Sequence, residues 1–358
     1  MEEKPDDVPL PPKLRCESAR CGPVGIIYNI KKSAVKSEVP DMDAEYDNIE
    51  TVHAIRGALE AAGYDTILLE ADATLPETLA RTRISIAFNI AEGLRGRGRE
   101  AEVPALCNLY DIPFTGSDEV ALGISLDKAM CKRLISTYGV RTPHFALLTT
   151  ASDAEGATLR FPVIVKPNAE GSSKGVSEHC VVNSREELRE AVENGINAYG
   201  GAMLAEEYIS GREFTVGMLG NGSDTRIFPP MEIIFRKNTQ KDYRVYSYQV
   251  KQDYKQYIDY KSPADITPET CEEMKNAAKT VFDALGCQDF ARADFRMNDD
   301  GEIYFIEINP LPGLAPGYSD FPMLAQFAGV PYSELVPAIL YAAETRLGIA
   351  NHCGVSAK

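Results

Sequence analysis

The clearest alternation of apolar and polar side chains lies in residues 290–309, FARADFRMNDDGEIYFIEIN. The two kinds of residue alternate on both sides of Asp300-Gly301. This dipeptide suits the two positive-φ positions of a type I′ turn, and alternation around it is typical of a β-hairpin. The pattern therefore predicts two antiparallel strands joined at Asp300 and Gly301.

The register of this hairpin brings four polar side chains together. With a two-residue turn, Asp294 lies opposite Glu307 and Arg292 lies opposite Asn309. All four share one face of the ribbon, because successive side chains of a strand point to opposite faces. The other face carries residues that we expect to pack in a core, namely Ala293, Phe295, Ile306 and Ile308.

The first part of the chain repeats a strand–helix–strand pattern. Strands are predicted by PVGIIYN, TILLEAD and ISIAFNI, and an amphipathic helix is predicted over residues 45–62, ending at Gly63. Alternating strands and helices are typical of a parallel α/β sheet. We therefore expect an N-terminal α/β domain over residues 23–125, preceded by a disordered, Pro-rich tail over residues 1–22.

Two further domains are predicted behind the first. Residues 126–210 contain a helix in SLDKAMCKRLISTYG, strands in FPVIVKP, GVSEHCVV and AMLAEEYI, and a second helix with a Ser184/Glu187 capping box. Residues 211–358 contain the strands EFTVGML and MEIIF, a polar loop over 236–265, a helix over 268–285, the hairpin, and a helix over 331–346. A loop of that length in a compact domain is typical of a lid or a binding loop.

Composition and charge narrow the functional classes. The chain has 358 residues, of which 44% are hydrophobic and 25% charged, which is ordinary for a globular protein with several cores. Its net charge of −16 argues against a nucleic-acid or anionic-membrane partner. No stretch approaches the roughly 20 apolar residues of a membrane span, and the acidic N-terminus does not resemble a secretory signal.

The eight cysteines and four histidines are scattered, without a C-x-x-C or a paired-histidine spacing. We therefore predict reduced thiols in a cytoplasmic protein, and neither a zinc site nor a histidine-based triad. The P-loop motif is absent from the sequence, and Gly93, Gly96 and Gly98 do not have the spacing of a dinucleotide-binding motif.

The polar face of the hairpin predicts a metal site. Directly opposed side chains lie roughly 4.5–5.5 Å apart, so Asp294 and Glu307 repel each other unless a cation offsets their charge. Carboxylate oxygens and the carboxamide oxygen of Asn309 suit Mg²⁺, which leaves positions open for phosphate oxygens. The alternative interpretation is a solvated charged face on which Arg292 neutralises Asp294.

Two other segments can hold a nucleotide. Lys166 ends a strand, and the loop GSSKG over 171–175 can bring backbone N–H groups against phosphate oxygens, although a flexible surface turn explains it equally well. In LAEEYISGREFTV, Glu206 and Glu213 can contact an adenine amino group and ribose hydroxyls. Surface acidity is the alternative for these two glutamates.

The order of these motifs resembles the ATP-grasp ligases, most closely the D-alanine:D-alanine ligase type. Asp127-Lys128, VIVKP, EGSSKGV, EEYISGREFTV and ARADF…YFIEINPLPG follow one another in a region that spans residues 23 to about 348. The resemblance implies the three-domain ATP-grasp fold, which combines an N-terminal parallel-sheet α/β domain with α+β subdomains that hold ATP between them. It also implies that ATP phosphorylates a carboxylate and that an amine then displaces the phosphate to form an amide.

The resemblance further implies a role for each matching residue. ATP would be bound by Lys128, Lys166, Gly171, Ser173, Glu206, Glu207, Ile209 and Glu213. Two Mg²⁺ ions, for which Mn²⁺ can substitute, would be bound by Asp294, Glu307 and Asn309. Catalytic roles would fall to Lys251 at the γ-phosphate, to Arg292 and the backbone N–H of Gly313 at the tetrahedral intermediate, and to Ser172.

The segment that selects the first amino acid departs from the family pattern. The loop after the first strand is longer than expected, and Glu45 or Asp47 is the candidate partner of the substrate ammonium group. Gln252 follows Lys251, where such ligases have a tyrosine.

The segments near the second substrate also depart from the pattern. Glu92 stands where a histidine is usual and is a candidate substrate-binding residue. The arginines that follow it, Arg95, Arg97 and Arg99, are candidates to bind a carboxylate, with a solvated loop as the alternative. Ser319 is the candidate replacement for the serine that binds the second carboxylate.

We therefore expect an ATP- and Mg²⁺-dependent carboxylate-amine ligase that acts on small amino-acid or peptide substrates. D-Alanine:D-alanine ligation is the first hypothesis. The alternatives are an amino-acid or dipeptide ligase of a specialised pathway with non-alanine substrates, and an ATP-binding scaffold without catalysis. Because such ligases are commonly dimers, the resemblance also implies a homodimer.

Overall fold

The computed structural model describes residues 22–31, 46–171, 180–236, 243–247, 250–251 and 253–349. The predicted tail over residues 1–21 lies outside these ranges, as do Glu45, Ser172, Ser173 and Gln252.

The strands form a three-stranded, a four-stranded and a six-stranded sheet. Their bounds are Val24–Tyr28 (β1), Thr66–Glu70 (β2), Ile86–Asn89 (β3), Phe145–Leu148 (β4), Val163–Pro167 (β5), Val181–Val182 (β6), Met203–Glu207 (β7), Arg212–Leu219 (β8), Arg226–Ile227 (β9), Met231–Phe235 (β10), Ile258–Lys261 (β11), Phe290–Met297 (β12) and Ile303–Asn309 (β13).

The helices alternate with these strands and cover the faces of the sheets. Their bounds are Ile49–Ala61 (α1), Leu75–Arg81 (α2), Glu102–Leu109 (α3), Glu119–Leu126 (α4), Lys128–Ser136 (α5), Arg185–Tyr199 (α6), Tyr254–Tyr257 (α7), Pro268–Ala284 (α8), Asp320–Phe327 (α9) and Tyr332–Arg346 (α10).

The N-terminal sheet has the order β2-β1-β3, and both pairings are parallel, as the strand–helix pattern predicts. Helix α1 begins at Ile49, not at residue 45. The prediction started it too early because Asp47 instead forms a parallel bridge with Ile30 and Asn48 has an extended backbone. These contacts fix the residues before α1 beside the carboxyl end of β1.

The central sheet has the order β4-β7-β5-β6 and is antiparallel. Helix α6 opens as predicted, since the Ser184 hydroxyl accepts a bond from the Glu187 N–H at 3.1 Å. The Glu187 carboxylate reaches back to the N–H of Asn183 at 2.7 Å. Strand β4, FALL, was not predicted. The predicted strand GVSEHCVV lies outside the described residues except for its last three positions.

The C-terminal sheet has the order β11-β10-β8-β12-β13, with β9 paired to β8. The prediction of an unstructured loop over 236–265 was wrong in its second half, where α7 and the edge strand β11 form. Strand β11 pairs with β10, so the polar side chains that suggested a loop lie on a solvated sheet edge.

The predicted helix in SLDKAMCKRLISTYG is in fact two helices. Asp127 has an extended backbone and separates α4 from α5. Its carboxylate accepts a bond from the N–H of Met130 at 3.0 Å, which caps α5. The break places Lys128 at the first position of a helix.

The turn of the β12–β13 hairpin differs from the prediction. The N–H of Gly301 bonds to the carbonyl of Asn298 at 3.0 Å, and Asn298 in turn bonds to Glu302. Gly301 has a φ of 81°, whereas Asp300 has no positive φ. The loop is therefore the three-residue type with a final left-handed glycine, not a type I′ turn.

A second irregularity restores the predicted register further along the hairpin. Phe295 pairs with Phe305, but Asp294 pairs with Glu307 and Arg292 with Asn309, so Ile306 is an extra residue in β13. The predicted core position of Ile306 is consequently wrong. Phe305 is buried in the core, and Ile306 lines a cavity.

The termini of the described chain pack against each other. Helix α1 contacts α10, and their apolar residues share one core with β1, β3 and α9. Within the described ranges, no single helix is long and apolar enough to cross a membrane; only the bent pair α9 and α10 passes such a test on length and composition. Most apolar side chains of that pair are buried in this core.

Candidate active site

A cavity of about 230 Å³ opens between the three sheets. Its lining includes sixteen of the residues to which the sequence assigned a site role: Lys128, Lys166, Gly171, Glu206, Glu207, Ile209, Glu213, Lys251, Arg292, Asp294, Glu307, Asn309, Gly313, Asp47, Glu92 and Ser319. Glu45, Ser172 and Ser173 lie outside the described residues, and the described lining does not include Arg95, Arg97 or Arg99. Residues more than 200 positions apart in sequence thus face one space.

The polar face of the hairpin forms the floor of this cavity. The Arg292 guanidinium donates to both oxygens of Asp294, from Nε at 3.0 Å and from Nη2 at 2.8 Å. The amide of Asn309 lies 3.4 Å from Asp294 Oδ2. The side chains of Arg292 and Asp294 are only 11% and 20% exposed, so this is not the solvated charged face of the alternative interpretation.

The two hairpin carboxylates have opposite pKa shifts. Burial and the neighbouring Glu307 raise the pKa of Asp294, although Arg292 acts in the other direction. Burial alone would raise the pKa of Glu307 as well, but Lys128, Lys166 and Arg292 outweigh it and lower that pKa to about 2. Glu307 is therefore ionised among the cations of the cavity, whereas burial disfavours the charged form of Asp294.

The donor set of this floor fits Mg²⁺. Asp294, Glu307 and Asn309 offer carboxylate and carboxamide oxygens, which are the donors that a hard divalent ion prefers. Among the described residues, no group of three His, Cys, Asp or Glu side chains is arranged around a metal. Two carboxylates suffice for Mg²⁺, because it usually completes its shell with water and substrate phosphates.

Lys128 projects into the cavity from the start of α5. Its ammonium group lies 3.5 Å from Glu307 Oε2 and donates to the carbonyl of Glu170. Asn168 fixes this corner, since its side chain bonds to the N–H of Ala129 and to the capping carboxylate of Asp127. The start of a helix and a lysine together favour an anion at this position.

A buried triad of charges lies beneath one end of the cavity, beside β5 and β7. Glu206 is 2.7 Å from Lys166 through one oxygen and 2.7 Å from Lys132 through the other. Burial would raise the pKa of Glu206, but the two lysines lower it. Glu206 therefore carries its charge in a buried environment and holds Lys166 in place.

Lys132 was not singled out from the sequence. Its side chain is 1% exposed, and its ammonium group also bonds to the carbonyl of Ile306 at 2.6 Å and to Thr142 at 3.0 Å. The available signal was its spacing, because Lys132 lies one helical turn after Lys128 and must share its face.

The two remaining glutamates of this end face different neighbours. Glu213 lies 3.4 Å from Arg296. Burial, together with nearby carboxylates, raises the pKa of Glu213 to about 7. Glu207 lines the cavity, but its carboxylate accepts bonds from the side chain of Arg160 at 2.8 and 3.0 Å. Of these two glutamates, Glu213 is therefore the one whose carboxyl group can change protonation near neutral pH.

The opposite wall of the cavity is the loop after β13. The Ser319 hydroxyl accepts a bond from the N–H of Ala315 at 3.1 Å. A side chain at Gly313 would meet that hydroxyl at 2.9 Å, so only glycine allows the loop to approach Ser319 this closely. The backbone of Gly313 is consequently open to the cavity.

Asp320, which follows Ser319, was also missed by the sequence analysis. It is 2% exposed and accepts a bond from Arg292 Nη1 at 3.1 Å. The hydroxyls of Tyr246 and Tyr260 donate to its other oxygen at 3.2 and 3.0 Å. Arg292 is therefore held between two aspartates, one on its own strand and one at the start of α9.

Residues near the N-terminal sheet line the other end of the cavity. Asp47, Glu92 and Glu100 line it together with Lys31. Burial raises the pKa of Asp47 to about 7, against the opposing effects of Lys31 and a bond to Thr51.

Two of the three arginines that follow Glu92 have protein partners, whereas Arg95 is exposed. Arg99 bonds to the carbonyl of Ala169 at 2.8 Å and lies 3.3 Å from Glu170, whereas Arg97 lies 3.2 Å from Asp127. They connect the N-terminal domain to the loops around Lys128.

Comparison with known proteins agrees with this geometry. A family model described as D-ala D-ala ligase C-terminus matches residues 134–341. D-Alanine–D-alanine ligase of Syntrophotalea carbinolica is 33% identical over 300 residues, which cover 84% of this chain and 92% of that protein. The same enzyme of Bordetella avium is 30% identical over 334 residues, which cover 92% and 96%.

Solved structures share the fold. D-Alanine–D-alanine ligase from Bacillus anthracis complexed with ATP matches with a TM-score of 0.68 at 21% identity, over 93% of this chain and 99% of that one. VanG D-Ala:D-Ser ligase from Enterococcus faecalis matches with a TM-score of 0.70 at 19% identity, over 90% and 99%. The chain therefore belongs to the D-alanine–D-alanine ligase family, has its ATP-grasp fold, and is an ATP-dependent ligase that forms an amide bond.

Proposed function

We propose that the chain joins two molecules of D-alanine into a dipeptide, with release of ADP and phosphate. The observation that carries this proposal is that one cavity combines the Arg292–Asp294–Glu307 floor with Lys128 and Lys166. The choice of D-alanine as the substrate rests on the relatives named D-alanine–D-alanine ligase, which are at least 30% identical to this chain.

ATP would occupy the side of the cavity formed by the central sheet. Lys128 and Lys166 supply positive charge for the phosphates, while Glu206, Glu207, Ile209 and Glu213 line the part where adenine and ribose would lie. Gly171 borders this region, and the proposed phosphate contacts of Ser172 and Ser173 lie beyond the described residues.

Asp294, Glu307 and Asn309 would hold Mg²⁺, either one ion or two. The ion neutralises charge on the transferring phosphate and orients it. Glu307 has the low pKa that such a ligand needs, so it is ionised at any pH where the enzyme works. Lys128, at 3.5 Å from Glu307, lies where protein charge and nucleotide charge would meet.

Arg292 and Gly313 would act on the amide-forming step. When the amine attacks the acyl phosphate, negative charge develops on the former carbonyl oxygen, and fixed donors around that oxygen lower the barrier. The guanidinium of Arg292 is buried and fixed by two aspartates, and the backbone of Gly313 is open to the same space. Lys251 lines the cavity beside them and would reach the γ-phosphate.

The amino acids would bind between the N-terminal domain and the loop after β13. Asp47 and Glu92 line this end and can accept the ammonium group of the first substrate, a role also proposed for Glu45. Ser319 can donate its hydroxyl hydrogen to the carboxylate of the second substrate, because its oxygen accepts from Ala315. A catalytic role of Ser172 belongs to the same proposal.

Three broader assignments also stay proposals. They are the domain division at residues 23–125, 126–210 and 211–358, the formation of a homodimer, and a cytoplasmic location.

The proposal is tested by measuring ADP release over a matrix of D- and L-amino acids with ATP and Mg²⁺, with mass spectrometry of the products. D-Alanine alone should give ADP and a dipeptide of two alanines. Turnover that requires a partner other than alanine would contradict D-alanine ligation while leaving the ligase chemistry intact.

One observation favours a second candidate, a ligase with a different second substrate. Asp320 follows Ser319 directly and places a buried carboxylate next to the expected position of the second amino acid. A structural relative is itself named a D-Ala:D-Ser ligase. In the same matrix, this candidate predicts a mixed product of D-alanine and another amino acid at a higher rate than the alanine dimer.

A further inference from the structure

Arg292 is held in the cavity by three hydrogen bonds to two carboxylates. Nε and Nη2 of its guanidinium donate to Asp294, and Nη1 donates to Asp320 at 3.1 Å. Asp294 lies two residues away on the same strand, whereas Asp320 approaches from α9. Only the bond to Asp320 therefore fixes Arg292 relative to the loop that carries Gly313.

Asp320 is fixed by a second set of donors. Its Oδ2 accepts from Arg292, and its Oδ1 accepts from Tyr260 at 3.0 Å and from Tyr246 at 3.2 Å. The two tyrosine oxygens are 2.7 Å apart. Each hydroxyl has one hydrogen, so one tyrosine donates to Asp320 while the other donates either to Asp320 or to its neighbour. The carboxylate has donors on both oxygens and is 2% exposed.

The tyrosines remain donors at any pH relevant to the enzyme. Burial and the adjacent Asp320 charge raise the pKa of both Tyr246 and Tyr260 above its usual value. Because both hydroxyls stay protonated, the pair always has a hydrogen to donate to the Asp320 carboxylate.

The four side chains come from four different segments. Tyr260 lies on β11, at the edge of the sheet whose centre holds Arg292, and Asp320 begins α9. Tyr246 belongs to the described segment 243–247, close in sequence to Lys251. The network thus connects the hairpin floor, the sheet edge, the loop after β13 and the segment that precedes Lys251.

We infer that Asp320 is a positioning residue that aligns Arg292 for amide formation, and that Tyr246 and Tyr260 hold Asp320 in the required orientation. This inference rests on the proposed role of Arg292 at the reacting carbon. Asp320 touches no reacting atom. It acts on the direction of the Arg292 guanidinium, and a fixed donor is worth more in a transition state than one that must reorient.

The kinetic test compares Tyr246→Phe, Tyr260→Phe, the double variant and Asp320→Asn. Each tyrosine variant should lower kcat about tenfold, since a hydrogen bond to a charged group is lost, with KM for ATP unchanged within about twofold. The double variant should lose more than either single variant, because each single variant leaves one hydroxyl that can donate to the same Asp320 oxygen. Asp320→Asn should cost about 100-fold in kcat.

Tyr64→Phe is the matched control. The Tyr64 hydroxyl also donates to a buried carboxylate, Glu344 Oε2 at 3.0 Å, but it lies between α1 and α10. A role confined to stability would lower the melting temperature of Tyr64→Phe and Tyr260→Phe alike and leave both kcat values near wild type. Equal kcat values in these two variants would overturn the inference.

Hydrogen–deuterium exchange separates this inference from the proposed substrate. With ATP and Mg²⁺ but no amino acid, Tyr260→Phe should raise exchange in residues 243–247 and in 258–261, and Tyr64→Phe should not. If the wild type does not consume D-alanine, the substrate proposal fails while the exchange result still decides on the network. If these residues of Tyr260→Phe exchanged at the wild-type rate, the inference about the network would be refuted.

Discussion

The cavity has two ends that are built differently. The proposed nucleotide end lies beside the central sheet, and the proposed amino-acid end lies between the N-terminal sheet and the loop after β13. At the nucleotide end, Lys132, Lys166 and Glu206 project from regular elements, and each lysine lies 2.7 Å from the shared glutamate. At the amino-acid end, the side chains come from connections, with Asp47 before α1 and Ser319 before α9. Strands and helices position the side chains proposed to bind ATP, which every reaction of this kind uses. Loops carry the side chains proposed to bind the amino acids, which differ from one ligase to another.

The electrostatics of the two ends differ in the same way. Glu206 is neutralised within the protein by two lysines, so its charge is settled before any ligand binds. Asp47 has a pKa near 7, and its charge depends on its surroundings. We therefore expect substitutions at the nucleotide end to affect folding and ATP together, and substitutions at the amino-acid end to affect substrate binding alone.

The largest effect should follow from changes in the floor that the two ends share. Asp294→Asn should lower turnover by at least about 100-fold, since it removes a carboxylate from the proposed Mg²⁺ site and from Arg292. Glu307→Gln should act similarly. Asp299→Asn, at the exposed tip of the same hairpin, should retain activity. Steady-state ADP release and circular dichroism check this, and near-normal activity of both floor variants would contradict the metal assignment.

The next prediction tests whether the buried charges stabilise the nucleotide end of the cavity. Lys132→Met leaves Glu206 with a single lysine and should lower the free energy of unfolding by about 3 kcal/mol, the cost of breaking a buried ion pair. ATP affinity should fall with it. Lys279→Met removes an exposed pair with Asp283 and should cost no more than about 0.5 kcal/mol. Urea titration compares the two, and equal losses would show that Lys132 contributes no more than a surface lysine.

The hairpin shows how far sequence can predict such a site. The pairing of Asp294 with Glu307 and of Arg292 with Asn309 was correct, yet it was derived from the wrong turn. The three-residue loop shifts the register by one residue and the bulge at Ile306 shifts it back, so the two errors cancel. Alternation reports which residues share a face, but turn geometry and bulges depend on local packing that a pattern does not contain.

Lys132 and Asp320 were missed for a different reason. Each is a charged residue in a segment that looks like an ordinary helix, and the function of each comes from partners distant in sequence. Asp320 lies 28 positions from Arg292 and 74 from Tyr246. Periodicity identifies a helix and its buried face, but it does not indicate which charges that face will meet.

A smaller effect tests the amino-acid end through pH. Because the raised pKa of Asp47 means that the fold binds a proton there up to about pH 7, this residue contributes stability at low pH that is lost as pH rises through 7. A substrate ammonium group needs the ionised form, so KM for the first amino acid should fall about tenfold between pH 6 and pH 8. Asp47→Asn should remove that dependence.

The control for this pH effect is a carboxyl group with a similar pKa outside the cavity. Burial raises the pKa of Glu344 to about 7, against a bond from Tyr64. Glu344→Gln should flatten the fall in stability between pH 5 and pH 8 and leave the pH dependence of KM unchanged. If Glu344→Gln also removed the KM dependence, the effect would come from folding and not from the ammonium site.

The smallest expected effect concerns Ser319. It tests whether a change at the amino-acid end of the cavity leaves ATP binding at the nucleotide end unaffected. Ser319→Ala removes one hydroxyl donor to the substrate carboxylate and should raise the weaker of the two amino-acid KM values about fivefold. ATP affinity and kcat should not change, because Ser319 contacts Ala315 and Gly313 but neither lysine of the nucleotide end.

The control is Ser136→Ala, which removes a hydroxyl bonded within its own helix turn. Initial rates with ATP and amino acid varied separately distinguish the outcomes. An equal change in KM for ATP would show that the loop after β13 affects ATP binding through the contact of Asp320 with Arg292. The separation of the two ends would then be rejected.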